Sequence, residues 1–259
     1  MNQETRVDYL ITYLANENPQ AYEQLKRKTM NKFELFRGLV NVRKAEPVTD
    51  EFIQIQNAYL TEINYNKTLT SIHDLQAFKK QLYLWQGDIA TLNVDAIVNA
   101  ANSELLGCTQ ANHNCIDNII HTHAGVQLRL DCNDLMQAQG RKEPVGKAKI
   151  TKGYNLPAKY VIHTVGPYID ERGPSRMKEE LLASSYKNSL ALADEYKLES
   201  IAFCCISTGE FNFPNQRAAE IAIDTVTDYI NQTHSELNVI FNVFKQEDLD
   251  IYQSLLSNE

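Results

Sequence analysis

Ile201-Ala-Phe-Cys-Cys-Ile206-Ser-Thr-Gly-Glu-Phe-Asn-Phe-Pro214 leads directly into a stretch in which Ala218, Ile221, Ala222, Thr225 and Tyr229 recur three and four residues apart. The opening apolar run reads as a buried strand and the periodic stretch as a helix. Pro214 stands at the helix start, where its missing N–H costs little. Strand, loop of small hydroxyl residues and helix make one βα unit, and the pattern repeats outward. Further strands are expected near Leu82–Trp85, Ala96–Ala100, Ala148–Gly153, Tyr160–Thr164 and Val239–Phe244, with helices near residues 114–137, 178–196, 214–231 and 247–256. Such alternation implies a mostly parallel sheet with helices on both faces, where ligands bind beyond the C-terminal strand ends. Attention falls on the loops after Trp85, Ala100 and Ile206.

Texture changes near residue 80. Before it, Val7, Leu10, Ile11 and Leu14 share one helical face, and Phe33, Phe36, Leu39 and Val40 share another. A third helix is expected after Pro47, with Thr49 as N-cap, Asp50 and Glu51 in its first turn, and Phe52, Ile55 and Tyr59 buried. The chain therefore divides into an all-helical extension, residues 1–80, and an α/β domain, residues 81–259. Charge divides the same way: residues 1–80 carry 11 basic and 10 acidic side chains, residues 81–259 carry 14 and 23.

The net charge of −8 argues against a broad phosphate-contacting surface and hence against nucleic acid as a partner. An apolar share of 43% with 22% charged residues suits a globular protein, and no apolar run approaches a membrane span. The polar opening Met1-Asn-Gln-Glu-Thr-Arg6 lacks the apolar core of a secretory signal, so a cytoplasmic location is expected. The 5 cysteines should then be free thiols or metal ligands.

The loop after Ala100 holds Cys108, His113 and Cys115, a Cys-x4-His-x-Cys spacing. Two thiolates and an imidazole suit tetrahedral zinc, and three protein ligands leave one position open for a substrate oxygen or water. His121, His123 and Cys132 are candidates for a fourth ligand. Read on residues alone, the pattern also suits two small buried cysteines beside a surface histidine. Asp117 follows at a helix start, where its ordinary role is to face the macrodipole. Ile116, Ile120, Ala124 and Leu128 share one face, which leaves Asp117 and Asn118 pointing elsewhere. The loop after Ile206, Ser207-Thr208-Gly209-Glu210-Phe211, ends at a helix N-terminus and could cradle a diphosphate, although capping needs the same residue types. Asp88, in Gln86-Gly-Asp-Ile89, could accept from an exocyclic amine or simply cap a turn. No G-x-G-x-x-G occurs, and the stretch from Gly140 to Ala148 is not a P-loop.

Taken in order, Gln86-Gly-Asp-Ile89, Val94-Asp-Ala-Ile-Val-Asn-Ala-Ala-Asn102, Val161-Ile-His-Thr-Val-Gly166 and Ile206-Ser-Thr-Gly209 resemble the macrodomains, α/β modules that bind ADP-ribose. Gly107-Cys108 through His113, Cys115, Ile116, Asp117, Asn118 and His121 resembles the zinc-containing members, as does the helical extension. The resemblance implies a mixed, mostly parallel sheet sandwiched by helices, and a zinc-dependent hydrolase removing mono-ADP-ribose from an acidic side chain of a protein. It further implies a lipoyl-carrier substrate of the glycine-cleavage H type, modified by a sirtuin-type transferase, with ADP-ribose as product. By position, Asp88 and Ile89 would hold adenine. Asn102 would face the distal ribose and Asp117 would lie near the scissile bond, both catalytic, and Cys115 and Ile116 would also contact ADP-ribose. Ser207, Thr208, Gly209, Glu210 and Phe211 would wrap the diphosphate and distal ribose, and Cys108, His113 and Cys115 would bind Zn2+. Ala90 departs from a common Thr, and Thr109 and Ala111 from a common Phe and Pro. The rival reading is a non-catalytic ADP-ribose reader with a structural zinc.

Overall fold

Four helices come first in the computed structural model, which describes residues 1–258. They are α1 (Gln3–Glu17), α2 (Pro19–Lys26), α3 (Lys32–Val42) and α4 (Asp50–Tyr65), and Asn2, Asn18, Asn31 and Thr49 cap them by accepting from open backbone amides. Each cap contributes about 0.5–2 kcal/mol. The expected stripes are the buried ones: Val7, Leu10, Ile11 and Leu14 meet Phe36, Leu39, Val40, Phe52, Tyr59 and Leu60 in one apolar cluster. Helix α2 lies outside the sequence expectation because it buries only Leu25.

The helical stretch ends at Tyr65, so the boundary expected at residue 80 moves back. Residues 70–80 hold β1 (Thr70–Ser71) and β2 (Ala77–Lys79), and β2 already belongs to the main sheet. There follow β3 (Leu82–Gln86), β4 (Leu92–Asn93), β5 (Ala96–Ala100), α5 (Ile116–Ala124), α6 (Val126–Gln139), β6 (Ala148–Lys152), β7 (Tyr160–Thr164), α7 (Arg176–Glu195), β8 (Ser200–Phe203), α8 (Asn215–Thr233), β9 (Asn238–Val243) and α9 (Gln246–Asn258). Among the described residues seven strands form a sheet in the order β2-β3-β9-β8-β5-β7-β6, in which only the edge strands β2 and β6 run antiparallel to their neighbours; β1 pairs with β4 separately. This is a mixed, mostly parallel sheet.

Alternation along the strands assigns the two faces. Phe203 stacks with Tyr186 of α7 and Phe241 with Tyr252 of α9, and Val98 pairs in register with Phe203, so these residues look one way. Asn99, one residue on, looks the other way and bonds Asp117 of α5. The first four helices stack outside α5, giving the layers α7–α9, sheet, α5–α6 and helical segment.

The single helix expected over 114–137 is two. Gly125 takes φ +98° between α5 and α6, and a Cβ there would lie 2.6 Å from Gln56 Nε2. The break lets α4 approach: Gln56 Oε1 accepts from the Val126 amide at 3.0 Å. Asn64, also on α4 and 1% exposed, donates to the carbonyl oxygens of His123 and Asn155 at 3.0 and 2.8 Å. Its Oδ1 lies 2.7 Å from His123 Nδ1. Among the described residues no helix is long and apolar enough to cross a membrane.

Asn64→Ala removes three hydrogen bonds from a dry joint and leaves buried partners unpaired, so stability should fall by about 2–3 kcal/mol. Urea titration monitored by far-UV circular dichroism measures this; an unchanged midpoint would show that Asn64 does not hold the helical segment to the sheet domain.

Candidate active site

The C-terminal ends of β3, β9, β8 and β5 point the same way and lie side by side. At about 4.8 Å per strand, the ends of β3 and β5 stand roughly 14 Å apart. The loops at these ends carry the residues singled out from sequence.

At the β3 end, Asp88 Oδ1 accepts from the Ala90 amide at 3.0 Å, so the capping role is real. Its other oxygen lies 3.3 Å from Lys67 Nζ, which comes from the residues after α4. Ile89 is 4% exposed and belongs to the core, leaving only its backbone available. Beside it, at the end of β9, Phe244 is 75% exposed, and its carbonyl accepts from Gln86 Nε2 at 3.3 Å. The expected strand Val239–Phe244 conceals this ring, because an aromatic residue at a strand end reads as part of the strand.

Beyond β8, Ser207 is buried at φ +68°, a left-handed conformation costing a non-glycine residue roughly 1–2 kcal/mol. Its carbonyl accepts from the Phe213 amide, which closes the loop, while its Oγ has no partner among the described residues. Thr208 Oγ1 is spent on the Cys205 carbonyl, and a Cβ at Gly209 would meet no protein atom within 4 Å. Phe211 is half-buried, edge-on to Tyr168 at 6.1 Å, and packs with Leu106 against a small cluster around Leu105 and Val165.

The β5 end carries a carboxylate. Asp117, in the first turn of α5, is 6% exposed; Oδ1 accepts from Asn99 Nδ2 at 2.8 Å and Oδ2 from Asn102 Nδ2 at 3.3 Å. Asn102 also donates to the Gly107 carbonyl and accepts from the Glu104 amide, fixing the turn that begins the loop. Burial pushes the Asp117 carboxyl up to about 6, against the opposing effects of Asn99 and the Arg129 charge. Gly107, at φ +78°, lies flat on the His121 ring, where a Cβ would come within 2.8 Å of Cγ. Ile116 is half-buried and packs against the core.

Cys108, His113 and Cys115 converge, with one ligand atom from each within 4.8 Å of the others. The Cys108 Sγ to His113 Nδ1 distance is 3.6 Å, the edge expected of a tetrahedron with Zn–S of about 2.3 Å and Zn–N of about 2.0–2.1 Å. Burial raises the Cys115 thiol, and the adjacent Cys108 raises it further. Two sulfurs and an imidazole nitrogen brought this close make a donor set that fits a thiophilic cation. His113 Nε2 lies 3.7 Å from Glu210 Oε1, which brings the β8 loop against this one.

None of the suggested fourth ligands joins the group. His123 is tied to Asn64, while His121 and Cys132 fall in a second buried cluster with His163. Hydrogen-bond polarity argues against an ion there. Asn99 donates one amide hydrogen to Asp117 and the other to His163 Nδ1 at 3.2 Å. Burial holds His163 neutral, lowering it to about 3, so its proton sits on Nε2 and points at Thr151 Oγ1, 2.9 Å away. No lone pair remains at Nε2. Asn99 and His163 are thus part of the site's support, unassigned from sequence; the signal was an asparagine inside an otherwise apolar strand.

Residues 98–222 match the Macro domain family. The chain is 51% identical to a Staphylococcus aureus protein named Protein-ADP-ribose hydrolase over 263 aligned positions, spanning 98% of this chain and 96% of that one. In structure it is similar to the Oceanobacillus iheyensis macrodomain with ADP, with TM-score 0.63 and 34% identity over 71% of this chain and 94% of the other. The Trypanosoma brucei macrodomain in complex with ADP-ribose gives TM-score 0.65 and 27% identity over 85% of this chain and 94% of that chain. With the sheet order, the strand-end loops and near full-length similarity in agreement, the chain belongs to the macrodomain family.

Proposed function

We propose that the cleft binds ADP-ribose lengthwise across the strand ends and that the chain hydrolyses its bond to a protein, removing mono-ADP-ribose from an acidic side chain with the help of zinc. The observation that carries this reading is the order of the loops. A carboxylate and an exposed ring stand at β3 and β9, a turn with an unpartnered hydroxyl at β8, and a buried carboxylate beside a thiol–imidazole group at β5. A base, a diphosphate and a terminal ribose fall on these loops in that order over roughly 14 Å. The relative named as a hydrolase and the neighbours titled with ADP and ADP-ribose support the same reading.

In this arrangement Asp88 accepts from the adenine amine, and Lys67 must yield part of the carboxylate. Phe244 offers a face for stacking. The amides of residues 209–211 approach the diphosphate, with Phe211 over the distal ribose, while Ser207 holds the turn through its carbonyl bond to the Phe213 amide. Asp117, gripped by two amides, keeps free lone pairs on Oδ2 with which to orient the attacking water or a ribose hydroxyl. Cys108, His113 and Cys115 hold zinc, which when bound supplies Lewis-acid charge at the distal-ribose end of the cleft. The acidic linkage, the lipoyl-carrier substrate and its sirtuin-type transferase come from the likeness to the zinc-containing subgroup.

One zinc per chain is expected, lost on Cys115→Ser. Release of ADP-ribose from a mono-ADP-ribosylated protein should stop with chelator and return with zinc. Release that ignores chelator would make the ion structural, and no release by fully metallated protein would make the chain a reader.

Asp117→Asn should retain ADP-ribose affinity yet hydrolyse on the order of a hundredfold more slowly. A wild-type rate in single-turnover assays would assign Asp117 to helix structure alone.

Asp88→Asn keeps an acceptor for the Ala90 amide but turns a donor toward the base, so ADP-ribose affinity should weaken by about 1–3 kcal/mol without loss of the cap. Calorimetry showing equal affinity would move adenine away from β3.

A further inference from the structure

Arg37 reaches from α3 of the helical segment onto the loop that carries the three metal-binding candidates. Its Nε and Nη2 lie 3.0 and 2.9 Å from Asn118 Oδ1, and Nη2 also donates to the His113 carbonyl at 2.7 Å. Asn118, fully buried, spends its own Nδ2 on the Gln110 carbonyl at 2.9 Å. One turn along α3, Asn41 accepts from the Asn112 amide at 2.9 Å and donates to Thr122 Oγ1 at 3.1 Å. Loop residues 110, 112 and 113 are therefore suspended from two side chains of α3 and one of α5, around an asparagine held at φ +56°.

The planar guanidinium holds the His113 carbonyl and the Asn118 amide oxygen together, where an ammonium would hold one of them.

We infer that Arg37 is a positioning residue for the metal centre: the helical segment, which contributes no ligand, sets the affinity of the loop for zinc by fixing the backbone of His113 and the side chain of Asn118 that carries the loop. The inference rests on the zinc reading above. The outermost groups around a metal commonly contribute about tenfold to a hundredfold in affinity.

The test uses the full chain with Arg37→Gln and Arg37→Lys. Zinc affinity is read by competition with a chromogenic chelator, beside the melting temperature and ADP-ribose affinity of the zinc-free proteins. Arg37→Gln should bind zinc about tenfold to a hundredfold more weakly, and Arg37→Lys, which keeps charge but loses the fork, should fall between it and wild type. Both zinc-free variants should bind ADP-ribose as zinc-free wild type does and melt cooperatively, Arg37→Gln at a lower temperature because Asn118 Oδ1 loses its donors. Wild-type zinc affinity in both variants would overturn the inference, as would an equal loss in Asn64→Ala, which weakens the same joint without touching the loop. If Arg37→Gln does not fold, Arg37→Lys decides by the same comparison. Wild-type protein that takes up no zinc, or Cys115→Ser that retains it, would instead defeat the underlying metal reading and the inference with it.

Discussion

A carboxylate with 6% of its surface exposed must be compensated where it stands, since an uncompensated buried charge costs several kcal/mol. Asp117 is compensated in layers. The first turn of α5 gives it the positive end of a helix. Asn99 then reaches it from the centre of β5, a position the neighbouring Ile97 and Val98 would otherwise make purely apolar. With its second amide hydrogen Asn99 orients His163 on β7, which in turn bonds Thr151 on β6. Three adjacent strands are thereby coupled to one charge, and the direction of every hydrogen bond follows from the acceptor-only carboxylate at its head.

The opposite charge arrives from α6. Arg129, 5% exposed, donates through Nη1 to the carbonyl oxygens of Val40 and Arg43 at the C-terminal end of α3, the negative end of that helix. Burial works against its ionisation and the Asp117 charge supports it. The field at the candidate catalytic carboxylate therefore depends on how α3 ends, which places the helical segment inside the electrostatics of the site as well as against its surface.

What could be read from sequence was whatever is local. Strands β5 and β7 occupy the expected residues because each is an apolar run, and Cys108, His113 and Cys115 announce themselves within eight positions. Strands β1, β2 and β4 are too short to show alternation. The break at Gly125 was hidden by phase: Ile120, Ala124 and Leu128 keep a four-residue rhythm across the glycine, so two helices present one continuous stripe. Contacts between distant segments left no periodic trace. Arg37 and Asn118 meet across 81 positions, and Asn64 and Asn155 across 91. Polar residues in apolar surroundings, such as Asn99 and Asn118, were the available hints, since a buried amide requires partners.

The uneven charge of the two segments finds its meaning in the same joint. Among the described residues three cations of the helical segment form ion pairs within it: Arg6 with Glu62, Lys32 with Glu4 and Asp8, and Arg43 with Glu17. Two others reach across the joint: Arg37 bonds to Asn118 and His113, and Lys67 to Asp88 and His123. These touch opposite ends of the proposed ligand path, the thiol–imidazole loop and the β3 carboxylate. Both ends hold acids or thiols in partly dry surroundings, where like charge accumulates at a cost. The near-neutral segment therefore offsets, at two chosen points, the acidity of the domain it covers. The helical layer thus brings a cation to each end of the row of strand-end loops.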